Sequence, residues 1–511
     1  MKTPSADLWE LVRALTPSEK RYFKIFAQQA GQKDANYLEL YEAIEAMPGP
    51  YDEDLLKADH PQAGFIKQLS FTKNYLYNLI LKSLEYYHAD RNSDIQLRSL
   101  MNSVQILFDK GLYEQCEKQL RKAAKMAEKY DKVIFQMEVT VWKMALMNQQ
   151  LKVKEVRKHL EAAHQENMHR LKSLEGFLEL RYLSMNGSAM LLEHGVKVAD
   201  VETRLAAFED VVQRARQVYQ KTPHSFMVKA VFLDLMAYYE NRVRNSVERT
   251  LDYRQQLLQL LEENPHQIEQ KPFNLVFAYY NYLYFCLEHK VFDDFEANLE
   301  RMVAIAEKKV FRHHRQKLRS MVFAREVNLR LSYHLARNDW PTAIREGHEL
   351  AQRVKKWNGE LEPQTEGWFA LNQCFIHLLE EDLSGALQWV NHILNGELKE
   401  LRKDIQLHAR MIELLIHLLR LDYDLVEYRL ASTRRFLNKE DKLFVVEDSY
   451  LAWVRKALRA GHTNGAQVLQ HLKKTLDTGE LSVQYRNLLG YFNFMGWVES
   501  VIPRLQSRQA S

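Results

Sequence analysis

Six of the twelve residues of KKVFRHHRQKLR, Lys308–Arg319, are Lys or Arg, and two more are the adjacent His313 and His314. Downstream, no carboxylate follows until Glu326. Such a run could hold nucleic acid, ligate a metal, seat an acidic partner, or form the wet side of a helix. Helical spacing separates these options. Lys308, Arg312, Arg315 and Arg319 fall on one stripe, with Val310, His314, Leu318 and Met321 on another roughly 200° away, at ~100° per residue. The basic stripe therefore stands opposite the face that packs. Arg312, Arg315 and Arg319 are expected to open a long helix, where positive charge opposes the macrodipole at a cost of about 0.3 kcal/mol each. That misfit with local stability suggests a docking stripe for an anionic partner; a solvated helix face is the plain alternative. The histidine pair makes a poor metal site. Neighbours one apart on a helix diverge by ~100°, whereas a helical chelate needs i,i+3 or i,i+4 spacing.

Catalytic constellations are thin. The sequence has no Gly-rich phosphate loop, no Gly-x-Ser-x-Gly elbow and no His-Glu-x-x-His helix. Cys374 and His377 stand three apart in the apolar NQCFIHLLE, where a thiol is usually inert. The pairs Asp293–Asp294 and Glu380–Glu381 fall at helix starts or turns, where carboxylates favour the helix dipole. No cofactor and no enzymatic activity is expected.

Composition narrows the class further. The 511 residues carry a net charge of only +4, too weak to imply nucleic acid except through a local cluster. Three scattered cysteines form neither a metal spacing nor a disulfide framework, which fits a reducing compartment. The opening MKTPSADLWELVRAL is acidic where a signal peptide is basic. The longest uncharged apolar run, Phe273–Leu287, is shorter than the ~20 residues of a membrane span. The expectation is a soluble cytoplasmic protein.

The elements that must position these residues are helices. With 17 Gly and 11 Pro in the chain, turn residues are scarce, and strand-like alternation is nearly absent. Beyond residue 90 apolar residues recur at i, i+3, i+4 and i+7. One turn recurs as well: DKGLYEQC, EHKVFDDF, ARNDWPTA, LEEDLSGA and LRLDYDLV. Each places a large apolar residue after a polar turn (Tyr113, Phe292, Trp340, Leu383, Tyr423). Three positions later comes Cys116, Phe295, Ala343, Ala386 or Val426, on the same face of the helix. From Phe292 the spacings are 48, 43 and 40. Asn102, Asn281 and Asn372 lie 11 residues before their anchors, and Asn328 lies 12 before Trp340.

Over roughly residues 93–480 this pattern resembles the tetratricopeptide repeat. The resemblance implies an all-α, right-handed α-solenoid of stacked antiparallel hairpins, whose helix-A asparagines face an inner groove and grip a peptide. It also implies that Arg98, one turn before Asn102, can hold a carboxylate there; Phe277 and Trp368 occupy the matching places before Asn281 and Asn372. The helices here run one or two turns longer than the family's period of 34 residues.

Residues 1–90 read as a helical N-terminal subdomain, 91–480 as repeats, and 481–511 as a capping helix with a short polar tail. In LTPSEKRYFKIF, Thr16 caps a helix with Pro17 first and Glu19 three beyond, a capping box. A helix through Gln29 follows, then NYLELYEAIEAM as another, a turn at Pro48–Pro50, and a long helix from about Gln62 to Tyr87. The opening is similar to that of a group of bacterial helical proteins, a likeness implying no particular activity. It also resembles the first helix of bacterial helix-turn-helix regulators, but the short turn and Arg-rich recognition helix are missing.

The expected function is a non-enzymatic adaptor that binds a peptide or helix of another protein in the repeat groove. Its candidate contacts are Arg98, Asn102, Asn281, Arg312, Arg315, Arg319, Asn328 and Asn372. The partner is a protein or peptide, acidic if the basic stripe is used; nucleic acid and membrane are disfavoured, and a homo-oligomer is open. The alternatives are a regulator with a DNA-binding N-terminal domain and a self-associating structural subunit. In the run FAYYNYLYF, Phe273, Phe277, Tyr280 and Tyr284 are expected in the core, leaving Tyr279 or Tyr282 for a ligand.

Overall fold

The computed structural model describes residues 6–29, 36–49, 51–89, 92–149, 153–193, 201–222, 225–269, 271–357, 361–395, 403–439, 445–477 and 494–510. Every element among them is helical, and no helix is long and apolar enough to cross a membrane. The chain divides into two compact units, residues 1–176 and 177–511.

The first unit contains α1 (Asp7–Ala14), α2 (Pro17–Gln29), α3 (Asn36–Ala46), α4 (Glu53–Asp59), α5 (Leu69–Ala89), α6 (Ser93–Asp109), α7 (Tyr113–Lys129) and α8 (Val133–Gln149). The division falls inside α9 (Val153–Glu193). The capping box at α2 forms: Thr16 N–H donates to Glu19 Oε2 at 2.8 Å, and Glu19 N–H donates to Thr16 Oγ1 at 3.3 Å. Burial raises the Glu19 pKa, but bonds from Thr16 and His88 more than offset this, and the carboxyl ends below its usual range. One core joins α1 to α5 through Val12, Phe23, Tyr41 and Ile80. A separate one joins α6, α7 and α8 through Leu97, Val104, Cys116 and Leu120. The helix expected from Gln62 begins at Leu69, because Gly64–Gln68 closes as a 3₁₀ turn that buries Phe65.

In the second unit follow α10 (Val201–Lys221), α11 (Phe226–Arg242), α12 (Val247–Glu263), α13 (Pro265–Ile268), α14 (Phe273–His289), α15 (Phe295–Ala304), α16 (Arg315–Ala336) and α17 (Trp340–Lys356). Then come α18 (Pro363–Leu379), α19 (Leu383–Asn395), α20 (Lys403–Leu419), α21 (Tyr423–Lys439), α22 (Val445–Ala460), α23 (Gly465–Asp477) and α24 (Phe494–Ala510). Consecutive helices pair as hairpins, and their first members pack in series: α14 on α16, α16 on α18, α18 on α20. At the far end α24 packs on α23 and buries Trp497, whose indole N–H donates to the Leu378 carbonyl at 3.3 Å. Residues 481–493 of the expected cap lie outside the described residues.

The recurring turn has one physical form. Two residues before each anchor the backbone is left-handed: Gly111 (φ 72°), Lys290 (57°), Asn338 (60°), Glu381 (60°) and Leu421 (61°). The next residue's N–H reaches back five positions to a helix-end carbonyl, as in Leu112 to Leu107 (2.9 Å), Val291 to Cys286 (2.9 Å) and Asp382 to His377 (2.8 Å). This is the Schellman closure, which satisfies the carbonyls a helix end leaves orphaned. Cys116, Phe295, Ala343, Ala386 and Val426 are all buried in the seams. Two of the turns add a hydrogen-bonded clasp between side chains five apart, His377 Nδ1 with Asp382 at 2.9 Å and His417 Nδ1 with Asp422 at 3.2 Å. At the third, His334 Nδ1 stays 3.8 Å from Asp339 without a hydrogen bond, and its Nε2 lies 3.3 Å from Glu346. Asp382 also caps α19, accepting the Gly385 N–H at 2.9 Å.

Candidate functional site

The first members of the hairpins share a polar face. On α11, Asp234, Tyr238 and Asn241 stand at i, i+4 and i+7; on α14, Tyr280, Asn281, Tyr284 and Glu288 follow one stripe. Asn328 and Ser332 on α16, Trp368 and Asn372 on α18, and His408 on α20 continue it. These residues, with Arg242 at the end of α11, Arg254 from α12 and two serines of α9, line one open cavity of about 670 Å³. Its scale suits a few residues of a peptide or a small molecule.

The cavity's charges are unevenly matched. Arg242 lies 3.8 Å from Glu288. Asp234 and Arg254 feel each other's charge without closing an ion pair. Asp234 is wetted by the cavity but recessed in protein, and restricted hydration decides its behaviour: burial pushes its pKa up against the pull of Arg254 and Arg181. Burial likewise pulls the Arg254 pKa down, opposed by Asp234; its guanidinium lies 5.7 Å from the Phe285 ring centre and its Nε has no hydrogen bond. Tyr280 and Tyr284 stack, with ring centres 6.1 Å apart. Beside them Arg325 lies over Phe277 at 4.7 Å and over Tyr280 at 5.4 Å.

The three asparagines of the second unit come together here, but in different states. Asn281 is exposed. Asn328 donates to the Thr365 carbonyl at 3.1 Å while its buried Oδ1 has no partner. Asn372 is fully buried and donates to Ser332 Oγ at 3.3 Å, tying α18 to α16. Only Asn281 is free to meet an incoming chain. In the first unit Arg98 and Asn102 are exposed, and the Arg98 guanidinium lies 5.8 Å from the Phe135 ring centre.

The basic stretch divides differently from a continuous helix. Lys309–His314 is a 3₁₀ segment, so Arg312 sits before the helix, and α16 starts at Arg315. The expected stripe of four is broken there, because the hairpin has to turn within it. Upstream Glu307 then meets the survivors: Arg319 Nε at 2.7 Å and Arg315 Nε at 3.7 Å. The Arg319 bond holds the Glu307 carboxyl below its usual range.

The aromatic run is the reverse of the expectation. Tyr279 and Tyr282 are buried, whereas Phe277 (43% exposed) and Tyr284 (37%) face outward and Tyr280 lines the cavity. Tyr279 donates to Glu262 at 2.5 Å on the opposite side of α14, in a smaller cavity of about 430 Å³. Burial pushes the Cys286 thiol up to about 12, and Cys374 is pushed up too, so neither is a ready nucleophile at neutral pH.

Asp234, Tyr238 and Arg254 were not singled out by sequence reasoning. The available signal was an Asp with an aromatic and an Asn at i+4 and i+7 on a mostly apolar helix, FMVKAVFLDLMAYYENR. The chain matches no protein-family model, no curated protein and no solved structure.

Proposed function

We propose that the protein is a non-enzymatic adaptor: a right-handed, tetratricopeptide-like α-solenoid whose groove binds an extended peptide or helix of a partner protein. The carrying observation is the single polar, aromatic cavity to which α11, α14, α16, α18 and α20 all contribute residues. Exposed amide and phenol groups on a rigid helical face suit main-chain recognition, and tyrosine is a common interface anchor. Asn281 and Tyr284 form the contact face, with Asn328 and Asn372 bracing the helices behind it. Arg315 and Arg319 offer a second, acidic-partner contact insofar as a ligand displaces Glu307.

The test is selection of peptides from a random display library on the immobilised full chain, beside an Asn281→Ala/Tyr284→Ala variant of equal melting temperature. Enrichment of a sequence motif on the parent that the variant loses is the expected result. Equal enrichment on both, or none on either, overturns the groove assignment.

A further inference from the structure

We propose that the groove contains a subsite for a cationic side chain, a Lys or Arg of the docked segment, with Asp234 as its counter-ion and the tyrosines Tyr238, Tyr280 and Tyr284 as its walls. This rests on the groove being a peptide site, and it fixes the charge of the residue received there.

The geometry decides between a cation and an anion. Asp234 opens to the cavity and makes no hydrogen bond or ion pair with the protein, while the other carboxylate there, Glu288, is already matched by Arg242. Arg254 could in principle draw an acidic ligand. Its guanidinium, however, is half-buried against the Phe285 ring, whereas Asp234, though recessed, is accessible from the cavity. The aromatic lining favours the same sign. An aromatic ring is negative on its face, so tyrosines favour a cation over a carboxylate, and Arg325 already lies over Tyr280 beside the cavity. Tyr238 follows Asp234 by one helical turn, and the stacked Tyr280–Tyr284 pair lines the same cavity from α14. A lysine or guanidinium entering there gains a carboxylate in an aromatic surrounding.

Binding should also be proton-linked. Burial disfavours the ionised Asp234 in the empty groove, and a bound cation favours it, so docking expels the residual proton. Affinity therefore rises with pH until Asp234 is ionised in the free protein, and is flat above that. The charged groups acting on Asp234 are Arg254 on α12 and Arg181 on α9, and the titratable or charged groups sharing its cavity are Tyr238 and Arg242 on its own helix, Tyr280, Tyr284 and Glu288 on α14, and His408 on α20. His408 could add a slope of the same sign, so the Asp234→Asn variant is needed to separate them.

The experiment is fluorescence anisotropy on the full chain with labelled decapeptide pools, randomised except for a central Lys, Arg, Met or Glu. The Lys and Arg pools should bind about tenfold tighter than the Met pool, with affinity increasing with pH. Asp234→Asn should bring the pools to within about twofold and remove most of the slope. Arg254→Gln should leave the cation preference in place. A Glu pool that binds best and is lost in Arg254→Gln overturns the proposal. So does Asn281-dependent binding without charge preference, which leaves the peptide reading standing. If no pool binds, or binding ignores Asn281→Ala/Tyr284→Ala, the groove reading fails and the subsite with it.

Discussion

Adjacent hairpins approach so closely at Gly347 that one methyl group should change sign in its effect, depending on a single neighbour. Gly347 is buried on α17, and a Cβ placed there would lie 2.8 Å from Ile376 Cγ1, 3.2 Å from Cδ1 and 3.3 Å from Cγ2 on α18. All three contacts are with one branched side chain packed in the seam, which cannot swing away as a surface side chain can. Gly→Ala inside a helix ordinarily gains about 1 kcal/mol. Overpacking of this kind costs about 1–3 kcal/mol. Gly347→Ala should therefore destabilise by about 1 kcal/mol net. Ile376→Ala removes every clashing atom, at its own cost of about 2–5 kcal/mol. In that background Gly347→Ala should stabilise by about 1 kcal/mol, giving a coupling of about 2 kcal/mol across the cycle. Native-state hydrogen exchange of the α17 and α18 amides reads this locally, including in a long helical array that does not unfold as one unit. The same sign for Gly347→Ala in both backgrounds would refute the close approach.

Two further outcomes are expected. Asp382→Ala should cost about 1 kcal/mol at neutral pH, since it removes the cap of α19 together with the His377 clasp. The Gly385 N–H, followed by His377, holds the Asp382 pKa below its unfolded value. Its stabilisation is therefore present above the ordinary carboxylate range and lost as pH falls through the folded value, so parent and variant melting curves should converge in acid. Arg315→Glu with Arg319→Glu should abolish capture of an acidic partner. The pairs with Glu307 are exposed and water-screened, so the melting temperature should shift by no more than a few degrees. Unchanged capture of an acidic peptide removes any role for that stripe.

Much of the architecture is legible because helix ends and seams obey local rules. The turn after Leu107, Cys286, His334, His377 and His417 needs a left-handed residue and then a large apolar one, and both leave marks in the sequence. The capping box of α2 is equally local. The two clasps were legible in the same way, since HLLEED and HLLRLD each carry a His and an Asp five apart, a signal that apolar anchors alone pass over; HLARND has the same spacing, but its His334 and Asp339 do not close a hydrogen bond. The orientation of α14 was not legible. Leu275, Val276, Tyr279, Tyr282, Leu283, Phe285, Cys286 and Leu287 are all buried, so apolar periodicity cannot choose among faces when nearly every face is apolar. Which aromatic stripe faces the groove is settled by the packing of α12, α15 and α16 around the helix, a tertiary fact. A turn near Val310–Arg312 follows from the spacing of Phe292 and Trp340, but its 3₁₀ form and the restart at Arg315 carry no Gly or Pro to mark them.

The two charged features also show why composition is a poor guide to which charge recognises a ligand. KKVFRHHRQKLR is the densest cluster of cations in the chain, yet its helical arginines already have Glu307, and they sit where water screens the remainder. Asp234 is one carboxylate on a mostly apolar helix that also carries Glu240, and no count of net charge would single it out. It is the group left without a hydrogen bond or ion pair, in a recess where a partner's charge is screened least. Recognition energy comes from the difference between what a group has in the free protein and what a ligand brings to it. By that measure the exposed cluster has little left to gain, whereas the recessed carboxylate, in a cavity lined with tyrosines, has most. The repeats can keep their turns and seams nearly constant, because those serve the stack. The cavity face changes from helix to helix, from Asp and Tyr on α11 to Asn and Tyr on α14 and Trp and Asn on α18, and on the adaptor reading proposed above that variation is where a partner would be specified.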